Sequence, residues 1–223
     1  MTYGDFAWND LLRPTRRRDQ VADRPRPRLV EGEPVPWMGH GEDNWVWQVQ
    51  QATKGPLNRP NLTFILAQLH RKGRRALDDY LQPIVAANRI PPVTLWARLT
   101  EGERVGLRIA DSSPPFPPKI ERNFEIASPA GICEPAAVAE AVKEQRVIGG
   151  QTDIGIHLTM RRITRDDFDY GGNVRVIFDG LNELLGGSMS RPADTRICDL
   201  RVTMDRHNDL TTEVRVWQLD DRR

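Results

Sequence analysis

The residues best suited to chemistry in this chain are the aspartates of Asp166-Asp167-Phe168-Asp169. Asp167 and Asp169 are two positions apart, and in extended chain such positions point the same way. Two carboxylates aimed together repel each other unless a cation lies between them. Hard oxygen donors with room for water suit Mg2+ or Mn2+. Phosphodiester hydrolysis uses such an ion to activate water and to steady the leaving oxygen. A third carboxylate is needed. Asp194, in the loop before the next strand, is the first candidate, and Asp179, further along the intervening helix, is the second. Arg175 is placed to contact phosphate or to pair with Asp179 at i, i+4. A plainer reading stands beside this one: Asp166 and Asp167 cap and complement a helix N-terminus and do nothing more.

The elements that must position these residues follow from hydrophobic periodicity. Ile154, Ile156, Leu158 and Met160 alternate with polar residues and predict a strand that leads into the acidic loop. Asn173 is expected to cap a helix with the stripe Val174, Ile177, Phe178, Leu181, Leu184 and Leu185, stopped by Gly186-Gly187. Residues 197–204 and 210–219 read as two strands joined by a hairpin at Arg206-His207-Asn208-Asp209. Upstream, 93–99 and 104–109 read as a second hairpin through Thr100-Glu101-Gly102-Glu103. Glu134-Pro135 opens a helix to about Gln145 with Val138 and Val142 buried. Leu62, Ile65, Leu66 and Leu69 predict a helix from Asn61. A further helix carries Leu77, Tyr80, Leu81 and Ile84, with Pro83 expected to kink it. Asp78 and Asp79 read as the solvated face of that helix.

This order predicts an α+β fold, a mixed sheet with helices packed on one face. Three regions are expected: an extended arginine- and proline-rich N-terminal arm over 1–60, a short helical segment over 61–90, and the α+β domain over 91–223. No internal repeat with a fixed period is evident. Trp37, Trp45 and Trp47 are expected to pin part of the arm, because large aromatics are rarely left in water.

The chain has 223 residues, 39% of them hydrophobic and 28% charged, enough for a core without staples. The formal net charge is only +1, but charge is unevenly placed. Residues 13–28 hold seven arginines, among them Arg16, Arg17 and Arg18; His70-Arg71-Lys72-Gly73-Arg74-Arg75 is a second basic knot; Arg161, Arg162 and Arg165 form a third. Such patches suit phosphate. The two cysteines and four histidines have no zinc spacing, and no Walker, Rossmann or Gly-x-Ser-x-Gly pattern occurs. With no signal peptide, no apolar run near the roughly 20 residues of a membrane span and little cysteine, a cytoplasmic protein is expected.

The stretch from Arg165 to Asn182, with Asp194-Thr195-Arg196-Ile197 after it, resembles the signature of RusA-like Holliday-junction resolvases. That signature is an Asp-x-Asp-Asn, a helix bearing a basic residue, an Asp-x-Leu-Asn and a later acidic position. Asp167 and Asp169 match the pair, Asn173 the asparagine, Arg175 the helix lysine, Asp179-Gly180-Leu181-Asn182 the helix's second half, and Asp194 the later acid. Tyr170-Gly171-Gly172 is an insertion relative to the signature. The resemblance covers about residues 104–219. It implies a homodimer that binds branched or double-stranded DNA and cuts it with Mg2+ or Mn2+. Asp167, Asp169 and Asp194 would hold the ion, with Asp179 in reserve, and Arg175 would steady the scissile phosphate. Arg161, Arg162, Arg165 and Arg16–Arg18 would receive backbone phosphates. The alternative expectation is a non-catalytic, possibly phage-borne assembly or adaptor protein that docks on a protein partner through its N-terminal arm.

Overall fold

The computed structural model describes residues 28–34, 42–53, 61–68, 75–86, 94–101, 105–110, 119–127, 133–162, 170–188, 193–206 and 210–219. In chain order these form β1 (Arg28–Glu31), α1 (Glu42–Thr53), β2 (Asn61–Gln68), α2 (Leu77–Ala86), β3 (Thr94–Glu101), β4 (Gly106–Ala110), β5 (Arg122–Ala127), α3 (Pro135–Lys143), β6 (Ile154–Arg162), α4 (Tyr170–Leu181), a short 3-10 turn (Asp194–Arg196), β7 (Ile197–Arg206) and β8 (Thr211–Gln218). All eight strands join one mixed sheet in the order β1-β4-β2-β3-β7-β6-β8-β5. The α+β expectation holds. No helix among the described residues is long and apolar enough to cross a membrane.

Three local expectations are overturned. The segment from Asn61 is a strand rather than a helix. It pairs on both sides, with β3 and with β4. Thr63, Phe64, Leu66 and Ala67 are all buried. A strand buried on both faces shows a run of apolar residues instead of alternation, and such a run satisfies helical spacing by accident. Neither expected hairpin forms, because β2 lies between β3 and β4, and β6 lies between β7 and β8. The sheet thus crosses the expected region boundaries at 60 and 90. β1 and α1 also lie within the expected arm, where Trp45 and Val49 are buried and Trp47 is exposed. Trp37, the arginines of 13–27 and the 111–118 loop lie outside the described residues.

The helices share one face of the sheet. Phe64, Leu66, Leu95, Ile156, Leu158 and Val216 meet Leu77, Tyr80, Leu81, Val138, Ile177 and Phe178 in one buried cluster. Burial of each such side chain contributes about 1.5–3 kcal/mol. α2 runs through Pro83 to Ala86. α3 has Pro135 in its first turn and buries Val138 and Val142, as expected.

The alternate positions of the strands carry a different cargo. Asp199 and Arg201, neighbours on one side of β7, are fully buried and ion-paired at 3.1 Å. Trp96 Nε1 donates to Asp199 Oδ1 at 3.2 Å. The Arg201 guanidinium lies 4.8 Å from the Trp217 ring centre. A buried pair of this kind is tolerable only when its hydrogen-bonding capacity is used, and here the carboxylate serves two donors. Trp217 in turn rests against Gly155, where an added Cβ would come within 2.0 Å of the indole.

Gly155→Ala should therefore overpack the Trp217 site. The expected cost is about 2 kcal/mol, lowering Tm by roughly 4–8 °C. Thermal unfolding followed by circular dichroism measures it, and an unchanged Tm would mean that the indole has room to move.

Candidate functional site

β6 and β7 run parallel, with Ile154 level with Ile197 and Arg162 level with Arg206. β6 has nine residues, so its ends stand roughly 26 Å apart. Asp194 sits just before β7, at the starting end of this pair. Arg162, from which the chain passes to residues 163–169, stands at the other end. α4 returns between them. Its Asn173 is buried near the Arg162 end, where its Oδ1 accepts the Cys133 N–H at 2.7 Å. Asn173 thus lies inside the helix and braces the segment before α3, and is not the helix cap that its position suggested. Asp179 lies nine residues after Tyr170, roughly 14 Å along the helix axis, toward the Asp194 end.

Asp194 is held in place by its surroundings. Asn182 Oδ1 accepts the Ala193 N–H at 2.7 Å. Gly187 passes so close that an added Cβ would lie 2.0 Å from that oxygen. Arg196 donates to the carbonyls of Thr152 and Ile148, each at 3.1 Å, and to that of Leu185. Both ends of the segment between α4 and β7 are therefore cinched, and Asp194 Oδ1 accepts the Thr195 N–H at 2.8 Å.

The second contributor is α2. β2 is parallel to β3 and β3 antiparallel to β7. The end of β2 and the start of α2 therefore lie at the Asp194 end of the sheet. α2 packs on α4 and reaches β7. Its first turn carries Asp78 and Asp79, which are not a solvated helix face. Burial first, then the charges of Asp79 and Asp194, push the Asp78 carboxyl up to about 7, against the pull of Arg175. Asp78 Oδ1 is closed off from solvent, with no hydrogen-bond partner among the described residues. Burial also raises Asp79, which feels Asp179 unfavourably and Arg175 and Arg75 favourably. Asp194 is raised by burial, then by Asp179 and Asp79, with its bond from Thr195 opposing. Four aspartates and two arginines thus share one electrostatic neighbourhood.

Asp78, Asp79, Asp179 and Asp194 lie within electrostatic reach of one another, on packed elements. Asp166, Asp167, Asp169 and Arg165 lie outside the described residues, as do Arg16, Arg17 and Arg18 and the side chain of Arg162. Arg175 is exposed on α4. Arg161 bonds to Glu125 at 2.7 Å and lies 3.9 Å from Glu213. Both cysteines are buried and unbridged. His157 bonds to Thr203 Oγ1 at 2.9 Å. Burial, then Arg215 and Arg201, push its pKa down to about 4, so it stays neutral at physiological pH and is a satisfied sheet residue. Among the described residues no three His, Cys, Asp or Glu side chains come together closely enough to hold a metal ion by themselves.

No protein-family model matches the chain, and no curated protein matches it in sequence.

The raised Asp78 pKa makes stability depend on pH in a defined direction. The folded protein keeps a proton up to about pH 7 that the unfolded chain releases near its ordinary value of 3.8. The contribution is complete below about pH 4 and fades as pH rises through 7, by on the order of 3 kcal/mol without divalent ions. Urea unfolding in a chelator between pH 4 and 8 should show this decline, and Asp78→Asn should flatten it. An equal slope in both proteins would rule out Asp78 as its source.

Proposed function

We propose that the protein is a Mg2+- or Mn2+-dependent endonuclease that cuts branched DNA. One observation supports this above the others: α2 packs on α4 and reaches β7, which puts Asp78 and Asp79 within electrostatic reach of Asp179, Asp194, Arg75 and Arg175. Crowded carboxylates that are raised by burial and by one another lack positive charge, and their hard oxygen donors suit a small divalent cation. Asp194, with Asp78, Asp79 and Asp179 near it, marks where the ion would sit, although no three of these side chains come close enough to hold it in this structure. Asp167 and Asp169, the pair of the resolvase resemblance, follow the far end of β6 in the chain and do not join this group. The ion, when bound, would lower the pKa of a water and offset charge on the phosphate.

The chain's own residues have separate parts. Arg175, exposed on α4 beside the carboxylates, meets the scissile phosphate and limits repulsion between it and the aspartates. Arg75 does the same from the α2 side. Asn182 and Arg196 keep Asp194 from drifting. Arg162, Arg165 and Arg16–Arg18 receive backbone phosphates of the junction arms. Those contacts orient DNA without reading sequence, so selectivity would be for shape. Arg161 contributes less, because Glu125 already holds it.

A labelled four-way junction incubated with the protein and Mg2+ tests this reading. Cleavage is expected, with a loss of at least about 100-fold in Asp194→Asn, a magnitude in line with removal of one electrostatic contributor to a transition state. The variant's circular dichroism should be unchanged. Asp169→Asn reports whether the 166–169 cluster takes part. A junction that is bound but left whole in both Mg2+ and Mn2+ would leave the non-catalytic assembly role in its place.

A further inference from the structure

The strand order β1-β4-β2-β3-β7-β6-β8-β5 reads the same from both edges once equivalent strands are matched. In the first half β2 and β3 are parallel and joined through α2, β4 lies antiparallel on the outer side of β2, and β1 is antiparallel to β4. In the second half β6 and β7 are parallel and joined through α4, β8 lies antiparallel on the outer side of β6, and β5 is antiparallel to β8. The helices repeat as well. α1 packs on β1 and α2, and α3 packs on β5 and α4. At the centre the equivalent strands β3 and β7 pair antiparallel, and the equivalent helices α2 and α4 touch. Antiparallel pairing of equivalent strands with contact of equivalent helices on one face is the arrangement that a two-fold axis produces in a symmetric dimer.

We infer that the chain is a homodimer's architecture in one polypeptide, its N-terminal half standing where a second subunit would, and that it acts as a monomer cutting a single DNA strand. The cutting part rests on the nuclease reading above; the single-chain dimer does not. The inferred arrangement replaces the homodimer that the resolvase resemblance implies.

The single cut follows from unequal halves. The aspartate cluster draws on the start of α2, the turn before β7 and the second half of α4. Its two-fold mate would draw on the start of α4, the residues before β3 and the second half of α2. The turn before β7 supplies Asp194 and α4 supplies Asp179. Their counterparts, residues 87–93 before β3 and residues 82–86 of α2, contain no Asp or Glu. Only one of the two related positions can therefore pool carboxylates from both halves. The connections after the equivalent strands differ in sign too: residues 69–76 carry Arg71, Lys72, Arg74 and Arg75 with no acid, whereas 163–169 carry three aspartates and one arginine. The two connections are thus basic in one half and acidic in the other.

Two measurements on the full chain test this. Sedimentation velocity, with and without a junction, should give the mass of one protein chain. A supercoiled plasmid with an extruded cruciform should yield nicked circles with Mg2+, with linear product at least about tenfold slower. The double variant Asp78→Asn/Asp79→Asn and the single variant Asp194→Asn should each remove the same nick, because one site needs both halves. A mass of two chains would overturn the single-chain dimer. Linear product in the first turnover would overturn the single cut, as would a nick untouched by the Asp78/Asp79 variant. A one-chain mass with no cleavage at all would sink the nuclease reading while the single-chain dimer stands.

Discussion

The antiparallel seam between β3 and β7 governs where every other group in the protein lies. It pairs Thr94 with Thr203 and runs to Arg98 with Asp199. Because the pairing is antiparallel, the finishing end of β3 meets the starting end of β7. That geometry carries the start of α2 to the turn that bears Asp194. A slip of one residue would reverse the faces of one strand relative to the other. Leu95 and Ala97 would leave the helix-covered core, and Trp96 would no longer reach Asp199. The buried Asp199–Arg201 pair on one side and Leu200, Leu95 and Ala97 on the other thus enforce one register from both sides of the sheet.

The carboxylate cluster is a place where folding and charge oppose each other. Packing α2 on α4 buries apolar side chains such as Leu77, Tyr80, Ile177 and Phe178, and the same contact drives Asp78 and Asp79 toward Asp179 and Asp194. Apolar burial opposes that repulsion, and the crowded groups also have an escape. Asp78 takes a proton, or positive charge arrives. Arg75 and Arg175 supply part of that charge. A group kept in an unfavourable protonation balance by well-packed neighbours is what functional sites commonly contain.

Much of the second half was legible in the sequence and much of the first was not. β6, α3, β7 and β8 showed themselves by clean alternation or by a helical stripe. α4 was visible too, but its start was misplaced: Asn173 looked like a cap because it precedes Val174, whereas it is a buried acceptor for the Cys133 amide. β5, with Phe124 and Ile126 alternating among polar residues, carries a readable strand pattern. β2 was illegible in principle, since burial on both faces erases alternation. The site is hidden with β2, because Asp78 and Asp79 look solvated unless the strand before them is seen to end beside β7. Asp194 and Asp179 were identified by their order along the chain. Nothing in their spacing reveals that α2 lies across from them. The repeated topology is equally hidden, since the halves share connectivity while equivalent strands such as β2 and β6 differ in apolar pattern.

The Trp96–Asp199 hydrogen bond joins residues 103 positions apart. During synthesis the first half emerges with β3 complete and its neighbour not yet made. A finished strand with a bare row of backbone donors and acceptors is a template for any passing extended chain. Contacts of such long sequence separation also form slowly. The nascent protein therefore passes through an interval in which its central strand is its most adhesive surface. Yield in the cell will depend on how quickly the ribosome delivers β7, or on what shields β3 until it does.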